Sequence, residues 1–466
     1  MLKKEDLKRI GYSYFINLLD IHTKNGLKEV KSLNLKTDDE LKIIHNDLLS
    51  SSLFFKNDFS MINIYLSHLF DIDLITKKIA NKESLTIVEV FDIKKYLINA
   101  HNISMQIKDL KLSFSIESPK FLIGFLSESS TITNDFYVYT KYDNDLIEIR
   151  EQKLKLERSY QEEQDPILKQ NILEERSKIV KEEKIVEYRC LVLITEKLNS
   201  HLDCILKLIA NIEALDLLIA KVKITKHYQT SLPTFNKGIK FDEILNPYLY
   251  KLVNDLGNDY QEISLELDNT VNLLTGANMG GKSSAMDTLL LNIILARSGF
   301  YTFSKYSNVP YIRIIHFMYS KGANQSHGLS SFGNELMEVD KITKNINEFD
   351  FVLVDEFAQT TNPKEGRLFV KALINILKEK KCTSFISSHY DNISQEVNHY
   401  QVVGIKENII NMKEIEHISK YMDYSILKTN SKKTPKQAIT IANILLEDSD
   451  LLNQLEILIR SEKNES

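Results

Sequence analysis

The chain has 466 residues, of which 43% are hydrophobic and 26% charged, more than one compact core holds at ~100–200 residues per domain and far too apolar for a chain that stays unfolded. Its 59 Lys+Arg against 64 Asp+Glu give a net charge of −5, so no global field draws it to nucleic acid or anionic lipid and any such contact must come from a local patch. Only 14 Gly and 7 Pro disfavour a turn-dense all-β fold, and Cys190, Cys204 and Cys382, without CxxC spacing, argue against a disulfide framework or a zinc site and fit a reducing cytoplasm.

From Leu2 to about Ser115, segments such as LKRIGYSYFINLLD and DELKIIHNDLLSSSLFF place apolar residues three and four apart, the period of core-facing helices. KFLIGFLSES and DFYVYT then carry aromatic and β-branched residues between turn formers and read as a short hairpin or bend. From Asp145 to Lys226 the pattern turns strongly helical, with a break at Pro166 and then a helix of about fifty residues, ~75 Å long. Between Asp145 and Arg189 twelve acidic and ten basic residues alternate, which describes the solvated face of a lever or antiparallel coiled arm better than a DNA-gripping patch. No stretch reaches ~18 uninterrupted apolar residues, and the opening MLKKEDLKRIGYSYF has no signal-type apolar core, so a cytoplasmic chain without membrane contact is expected.

Helical periodicity stops at SLPTFNKGIK, Ser231–Lys240. Beyond it VNLLT, SSAMDTLLLNIILARSG, YIRIIHFMYS, FGNELMEVDKITKNI, FVLVDEF, KEGRLFVKALINILKEK and TSFISSH alternate strand-like and helix-like runs, implying a parallel sheet wrapped by helices. The expected organisation is an all-α domain over residues 1–235 and an α/β domain over 236–466. The latter ends in a helical stripe of Ala438, Ile441, Ala442 and Leu445, a candidate for holding a dimer or for packing on its own domain.

Chemistry concentrates in the second half. Gly276, Ala277, Asn278, Met279, Gly280, Gly281, Lys282 and Ser283, followed by Ser284, fit GxxxxGK[ST] between a strand and a helix. Glycines let successive N–H groups curl around phosphate at a helix N-terminus, the lysine reaches the terminal phosphates, and the Ser283 hydroxyl suits Mg2+. Asp355 and Glu356 end the apolar run FVLV: the first would hold Mg2+ and the second orient or deprotonate a water, since phosphoryl transfer depends on positioning and charge neutralisation. His389 closes TSFISSH at the same expected sheet edge as a γ-phosphate sensor, and Gly328–Glu335 is a small-residue loop opening a helix.

Taken together, TGANMGGKSSAMDTLLLNIILARSG, HGLSSFGNE, FVLVDEFAQTTNPKEG and TSFISSHY resemble the MutS-type ATPases, relatives of the ABC-type nucleotide-binding domains. The likeness is strong from Phe241 to about Leu446, and weaker in the N-terminal helices, which look like that family's core and lever. It implies a P-loop (ABC-type) ATPase domain plus an all-α core/lever domain, ATP and Mg2+ as cofactors, and a homodimer in which Ser330 and Ser331 reach the partner's nucleotide in trans. By the same likeness Tyr260 would stack on adenine. Mismatch-reading members place a Phe-x-Glu wedge domain and a connector before the lever, whereas lever-like sequence here begins within the first fifteen residues, so a chain without its own reader is expected. FAQTTNPKEG and the C-terminal YMDYSILKTNSKKTPKQAITIANILLED look closer to a MutS-like branch linked to reactivation of cobalamin-dependent aminomutases. Two functions stay open: a nucleotide-switched clamp on double-stranded DNA, of repair or recombination type, and a protein-remodelling ATPase acting on a partner enzyme.

Overall fold

A computed structural model describes residues 2–54, 60–108, 110–128, 135–277, 280–319, 331–393, 397–405, 422–430, 437, 439–440, 442, 446 and 449–464. The chain groups into two compact units, one of Met1–Leu19, Lys31–His45 and Lys223–Ser466, the other of Asp20–Val30 and Asn46–Val222. The expected division at 235/236 therefore gives way to one in which two N-terminal stretches join the α/β unit. The reason is packing: Phe15 meets Phe300 and Phe303 edge-on, with centroids 5.1 and 6.0 Å away. The Asn246 side-chain amide donates to the Ile10 carbonyl, and buried Arg297 donates to Asp38 and to the Lys36 carbonyl. Sequence position alone gives no sign of such long-range partners.

Among the described residues of the α/β unit nine strands run as β1 (Ile239–Ile244), β2 (Ile263–Leu267), β3 (Val271–Thr275), β4 (Tyr306–Asn308), β5 (Ile315–Tyr319), β6 (Phe351–Asp355), β7 (Thr383–Ser387), β8 (Asn398–Ile405) and β9 (Met422–Lys428). A six-stranded sheet has the order β5-β6-β7-β3-β8-β9, parallel except for β9, and a smaller antiparallel sheet has the order β2-β1-β4. Strands β3, β6 and β7 are buried at every residue, as parallel strands covered on both faces must be, which is why their sequences are continuous apolar runs rather than alternating ones. The helix Lys282–Arg297 is buried from Ala285 to Arg297; its LLLNIILA run is apolar but for Asn292, whose amide donates to the Leu245 and Thr288 carbonyls, and a helix apolar nearly all round is a central one. The topology puts β7 between β3 and β6, so the glycine-rich turn after β3 and the carboxylates ending β6 share one sheet edge without being on neighbouring strands.

The other unit is helical among its described residues. The helix Ile87–Gln106 starts from a reciprocal capping box of Thr86 and Glu89 and buries Val90, Ile93, Leu97, Ala100 and Ile103, apolar positions three and four apart on one face. KFLIGF forms the helix Lys120–Phe125 rather than a strand, and DFYVYT ends in a 3-10 turn, Thr140–Tyr142. Leu122, Ile123 and Leu126 supply the buried face, and the Lys141 ammonium collects the Gly124, Phe125 and Ser127 carbonyls at its C-terminal end, where a cation suits the unsatisfied backbone oxygens.

The helices Asp145–Glu162 and Pro166–Asn199 form the expected arm. Asp165 caps the second by accepting from the Ile167 and Leu168 amides, with Pro166 in the first turn. Pairs Arg189–Asp145, Arg150–Glu183 and Arg176–Glu157 advance on one helix as they retreat on the other, so the two run antiparallel. The second helix has 34 residues, about 51 Å at 1.5 Å per residue, not fifty. It breaks at Ser200 and His201, whose side chains both reach the Lys197 carbonyl and compete with backbone bonding; Leu202–Ile224 follows as a separate helix. Among the described residues no helix is long and apolar enough to cross a membrane.

Candidate functional site

The turn after β3 is built from glycine for two separable reasons. Gly281 holds φ +87 and a side-chain carbon there would lie 2.6 Å from the Tyr424 ring, while one at Gly280 would lie 2.9 Å from the Ala277 carbonyl. Any other residue would be strained at the first and crowded at both. Gly281 also starts the helix Lys282–Arg297 without a side-chain cap, so the first amides of that helix are left for something else. Lys282 is 4% exposed. Its ammonium donates to the Gly276 and Ala277 carbonyls at 2.9 and 3.1 Å and stands 3.5 Å from the Glu356 carboxylate.

At the end of β6, Asp355 is 5% exposed. Its Oδ1 accepts the Ser387 hydroxyl at 2.7 Å, and its Oδ2 accepts from the Arg9 guanidinium at 2.6 Å. Glu356 follows with φ 55, and Ala358 with φ 61, left-handed conformations that cost a non-glycine residue of order 1 kcal/mol each. The surroundings enforce them: the Glu356 amide donates to Ser387 Oγ, the Ala358 amide to Glu335 Oε2 at 3.0 Å, and Tyr390 Oη to the Ala358 carbonyl at 2.7 Å. Gly366 lies under Tyr390 so closely that a side-chain carbon would meet the hydroxyl at 2.1 Å. This sharp turn leaves the Glu356 carboxylate within reach of Lys282.

His389 follows β7 with its ring 4.2 Å from that of Tyr390. Burial holds its pKa below the usual imidazole value; the Glu356 charge pulls it up, and the Lys282 ammonium pushes it down. The histidine is thus neutral near pH 7 and in electrostatic reach of both expected catalytic side chains.

The structure brings Gly276, Ala277, Gly280, Gly281, Lys282, Asp355, Glu356 and His389 to one edge, with half-buried Ser283 and exposed Ser284 opening the helix. Asn278, Met279 and Ser330 lie outside the described residues, and Ser331 begins the helix Ser331–Asn345. Three of the four residues of the C-terminal stripe, Ala438, Ile441 and Leu445, also lie outside them. Tyr260 packs differently from a free stacking platform: its hydroxyl accepts from the Asn246 amide at 3.1 Å and bonds Thr288, and its ring meets Tyr250 edge-on. Sequence reading missed Arg9, which no motif marks; Tyr424, which lies over the phosphate-loop glycine; and the Glu335–Ala358–Tyr390 lock, whose only local sign is the tight Gly366.

The donor chemistry suits a triphosphate with a hard divalent cation. Uncapped helix amides and a buried ammonium offset only in part by Glu356 favour phosphate, and hydroxyl and carboxylate oxygens on Ser283 and Asp355 are the ligands Mg2+ prefers. Glycine turn, buried lysine and strand-end carboxylates on a sheet of this order are how a P-loop ATPase domain presents its nucleotide edge, and that is the class to which the α/β unit conforms.

Comparison with known proteins gives the class a family likeness. Residues 272–449 match the family model of MutS domain V. The chain is 31% identical over 213 residues to the Endonuclease MutS2 of Fusobacterium nucleatum subsp. nucleatum, covering 44% of this chain and 26% of that protein. It is 25% identical over 356 residues to the DNA mismatch repair protein MutS of Clostridioides difficile, covering 73% and 36%, and 22% identical over 281 residues to that of Lysinibacillus sphaericus, covering 58% and 33%. The chain spans about a quarter to a third of the length of these relatives. The matches support membership of the MutS family.

Proposed function

We propose that this protein binds ATP with Mg2+ at the β3/β6/β7 edge, hydrolyses it, and uses the cycle to drive a dimeric clamp associated with double-stranded DNA. The observation that carries the reading is the buried Lys282 ammonium, held by two loop carbonyls with the Glu356 carboxylate 3.5 Å away, beside helix amides without a cap. Lys282 turns from its own loop to the β- and γ-phosphates, and the helix amides take the oxygens the glycines leave room for. Ser283 and Asp355 would hold the metal, which neutralises charge on the phosphates. Glu356, aimed by its left-handed backbone, orients the attacking water and takes its proton. Neutral His389 would bond the terminal phosphate and report its loss, through its ring contact with Tyr390, to the Ala358 turn. Ser330 and Ser331 act on the partner's nucleotide.

The DNA role rests on the relatives' names, Endonuclease MutS2 and DNA mismatch repair protein MutS. A second reading, a protein-remodelling ATPase such as a reactivating factor for a cobalamin-dependent aminomutase, draws on the arm, where Arg150, Lys153, Arg176 and Arg189 are tied into pairs with the arm's own acids rather than presented to phosphate. Binding of labelled duplex DNA across a salt series, with and without MgATP, separates the two. Binding that weakens steeply with salt and responds to ATP supports the clamp; none at low salt removes DNA from the proposal and leaves the remodelling role.

A further inference from the structure

Arg9, at the end of the helix Lys4–Arg9, reaches into the nucleotide edge of its own unit. Its Nη2 donates to Asp355 Oδ2 at 2.6 Å and its Nε to Asp287 Oδ2 at 3.2 Å. The guanidinium lies 4.3 Å from the centre of the Tyr319 ring and 5.5 Å from that of Phe317, cation–π contacts that hold it in place. Asp287 stands on the phosphate-loop helix, 8% exposed, and among the described residues its Oδ1 has no hydrogen-bond partner. Tyr319 is the last residue of β5, where the chain leaves toward Ser330 and Ser331. One cation thus joins the phosphate-loop helix, the strand that ends in Asp355 and the strand that leads to the serine loop.

We infer that Arg9 is a positioning residue of the ATP site: as the built-in counter-cation of Asp355 and Asp287, it fixes the Asp355 carboxylate and sets how much Mg2+ the site requires. The inference rests on the nucleotide reading above. Two buried carboxylates share one guanidinium, so a cation that approaches Asp355 meets a like charge already bonded to it. Without Arg9 both carboxylates would face that cation uncompensated. Without the Asp287 charge, Arg9 would be shared by one carboxylate fewer and would oppose the cation more strongly. Arg9 therefore keeps the metal side of the site weak until nucleotide phosphate adds its own negative charge.

The test is a MgCl2 titration of the full chain with a ribose-labelled fluorescent ATP, read as the Mg2+ concentration at half-maximal binding, with thermal melting by circular dichroism alongside. Arg9→Ala should lower that concentration about tenfold, Asp287→Asn should raise it several-fold, and the double variant should return toward wild type, from the like-charge term at this range. Arg9→Lys should stay within about twofold of wild type, because it keeps the charge while losing the fork. A purely structural Arg9 would shift the melt and leave the half-point in place. An unmoved or raised half-point in folded Arg9→Ala overturns the inference; should that variant not fold, an unmoved or lowered half-point in Asp287→Asn does so. A wild-type chain that binds no labelled ATP at any Mg2+ concentration overturns the nucleotide reading and this inference with it, whereas binding with unmoved half-points overturns the role of Arg9 alone.

Discussion

The arm and the nucleotide edge both bury charge, but they settle it differently. In the arm, Arg150 forks to Glu183 and Glu187 at 2.9 Å each, and Lys153 closes on the other oxygen of Glu183; each buried charge has an opposite charge in contact. At the edge, Lys282 rests on neutral carbonyls with Glu356 at 3.5 Å, and Asp287 and Asp355 share one guanidinium. Burying unpaired charge costs several kcal/mol, so evenly matched pairs describe a stiff lever, and mismatched ones a site whose missing partners arrive with a ligand. The direction of the pKa shifts agrees. Burial pushes Glu183 up, but Lys153 and Arg150 outweigh it and hold the carboxyl below its usual range. For Asp287 burial wins: despite Arg9, and with Asp355 adding its own repulsion, the carboxyl is pushed up to about 6.

The comparison breaks most directly at Lys282. Lys282→Ala should weaken ATP binding by at least about a hundredfold, since a buried donor to the phosphates is lost from a site shaped for their charge; an isothermal titration that gives wild-type affinity would mean the mismatch at this edge does not serve nucleotide. Glu356→Gln should keep ATP affinity within a few-fold and cut turnover about a hundredfold or more, because the amide keeps the shape and cannot accept a proton. Size-exclusion of the ATP-bound variant should then show a dimer, and a persistent monomer would remove the clamp from the proposed function.

Much of this edge is legible in the sequence because its residues are local. GxxxxGK[ST] curls where its glycines permit, and an apolar run must be a buried strand, so Asp355 and Glu356 land at its C-terminal end wherever the sheet places it. What sequence could not supply is long-range. Arg9 lies 346 positions from Asp355, and nothing in LKRIGYSY marks that arginine from any other. The grouping of two N-terminal stretches with the α/β unit was out of reach for the same reason, because Phe15 and Asp38 find their partners near residue 300. KFLIGF misled through composition: its aromatic and β-branched residues favour a strand in isolation, but Leu122, Ile123 and Leu126 fit one helical face and Lys141 closes its end. Tertiary context overrode a weak local preference.

Asp287 sharpens the comparison through pH. Its carboxyl titrates near 3.8 when unfolded and about 6 when folded, so the stability linked to its held proton is present below 3.8 and is lost as pH rises through 6. At 1.36 kcal/mol per pKa unit this amounts to about 3 kcal/mol across that window. Urea denaturation of the full chain followed by circular dichroism should show the fall between pH 4 and 6, and Asp287→Asn should flatten it. A slope unchanged in that variant would mean Arg9 neutralises Asp287 as fully as Arg150 and Lys153 neutralise Glu183, erasing the distinction between the two clusters.

The arm should answer with the opposite sign and a smaller size. Glu183 titrates below its unfolded value of 4.5, so its contribution is present above pH 4.5 and disappears as pH falls through the folded value. Its carboxylate is held by two cations, and its side chain is only 9% exposed. The Gln variant keeps the shape and one acceptor oxygen for Arg150 but loses the charge on which Lys153 depends. The net loss at pH 7 is therefore about 1 kcal/mol, the difference between a charged and a neutral hydrogen bond rather than the cost of a stranded ion. Hydrogen exchange of the amides flanking Glu183 on the Pro166–Asn199 helix reads that local stability without contribution from the nucleotide edge. Wild type and Glu183→Gln should differ at pH 7 and converge below 4.5. A difference that persists undiminished into acid would show that the arm is held by packing of Val186, Cys190 and Ile194 rather than by its paired charges.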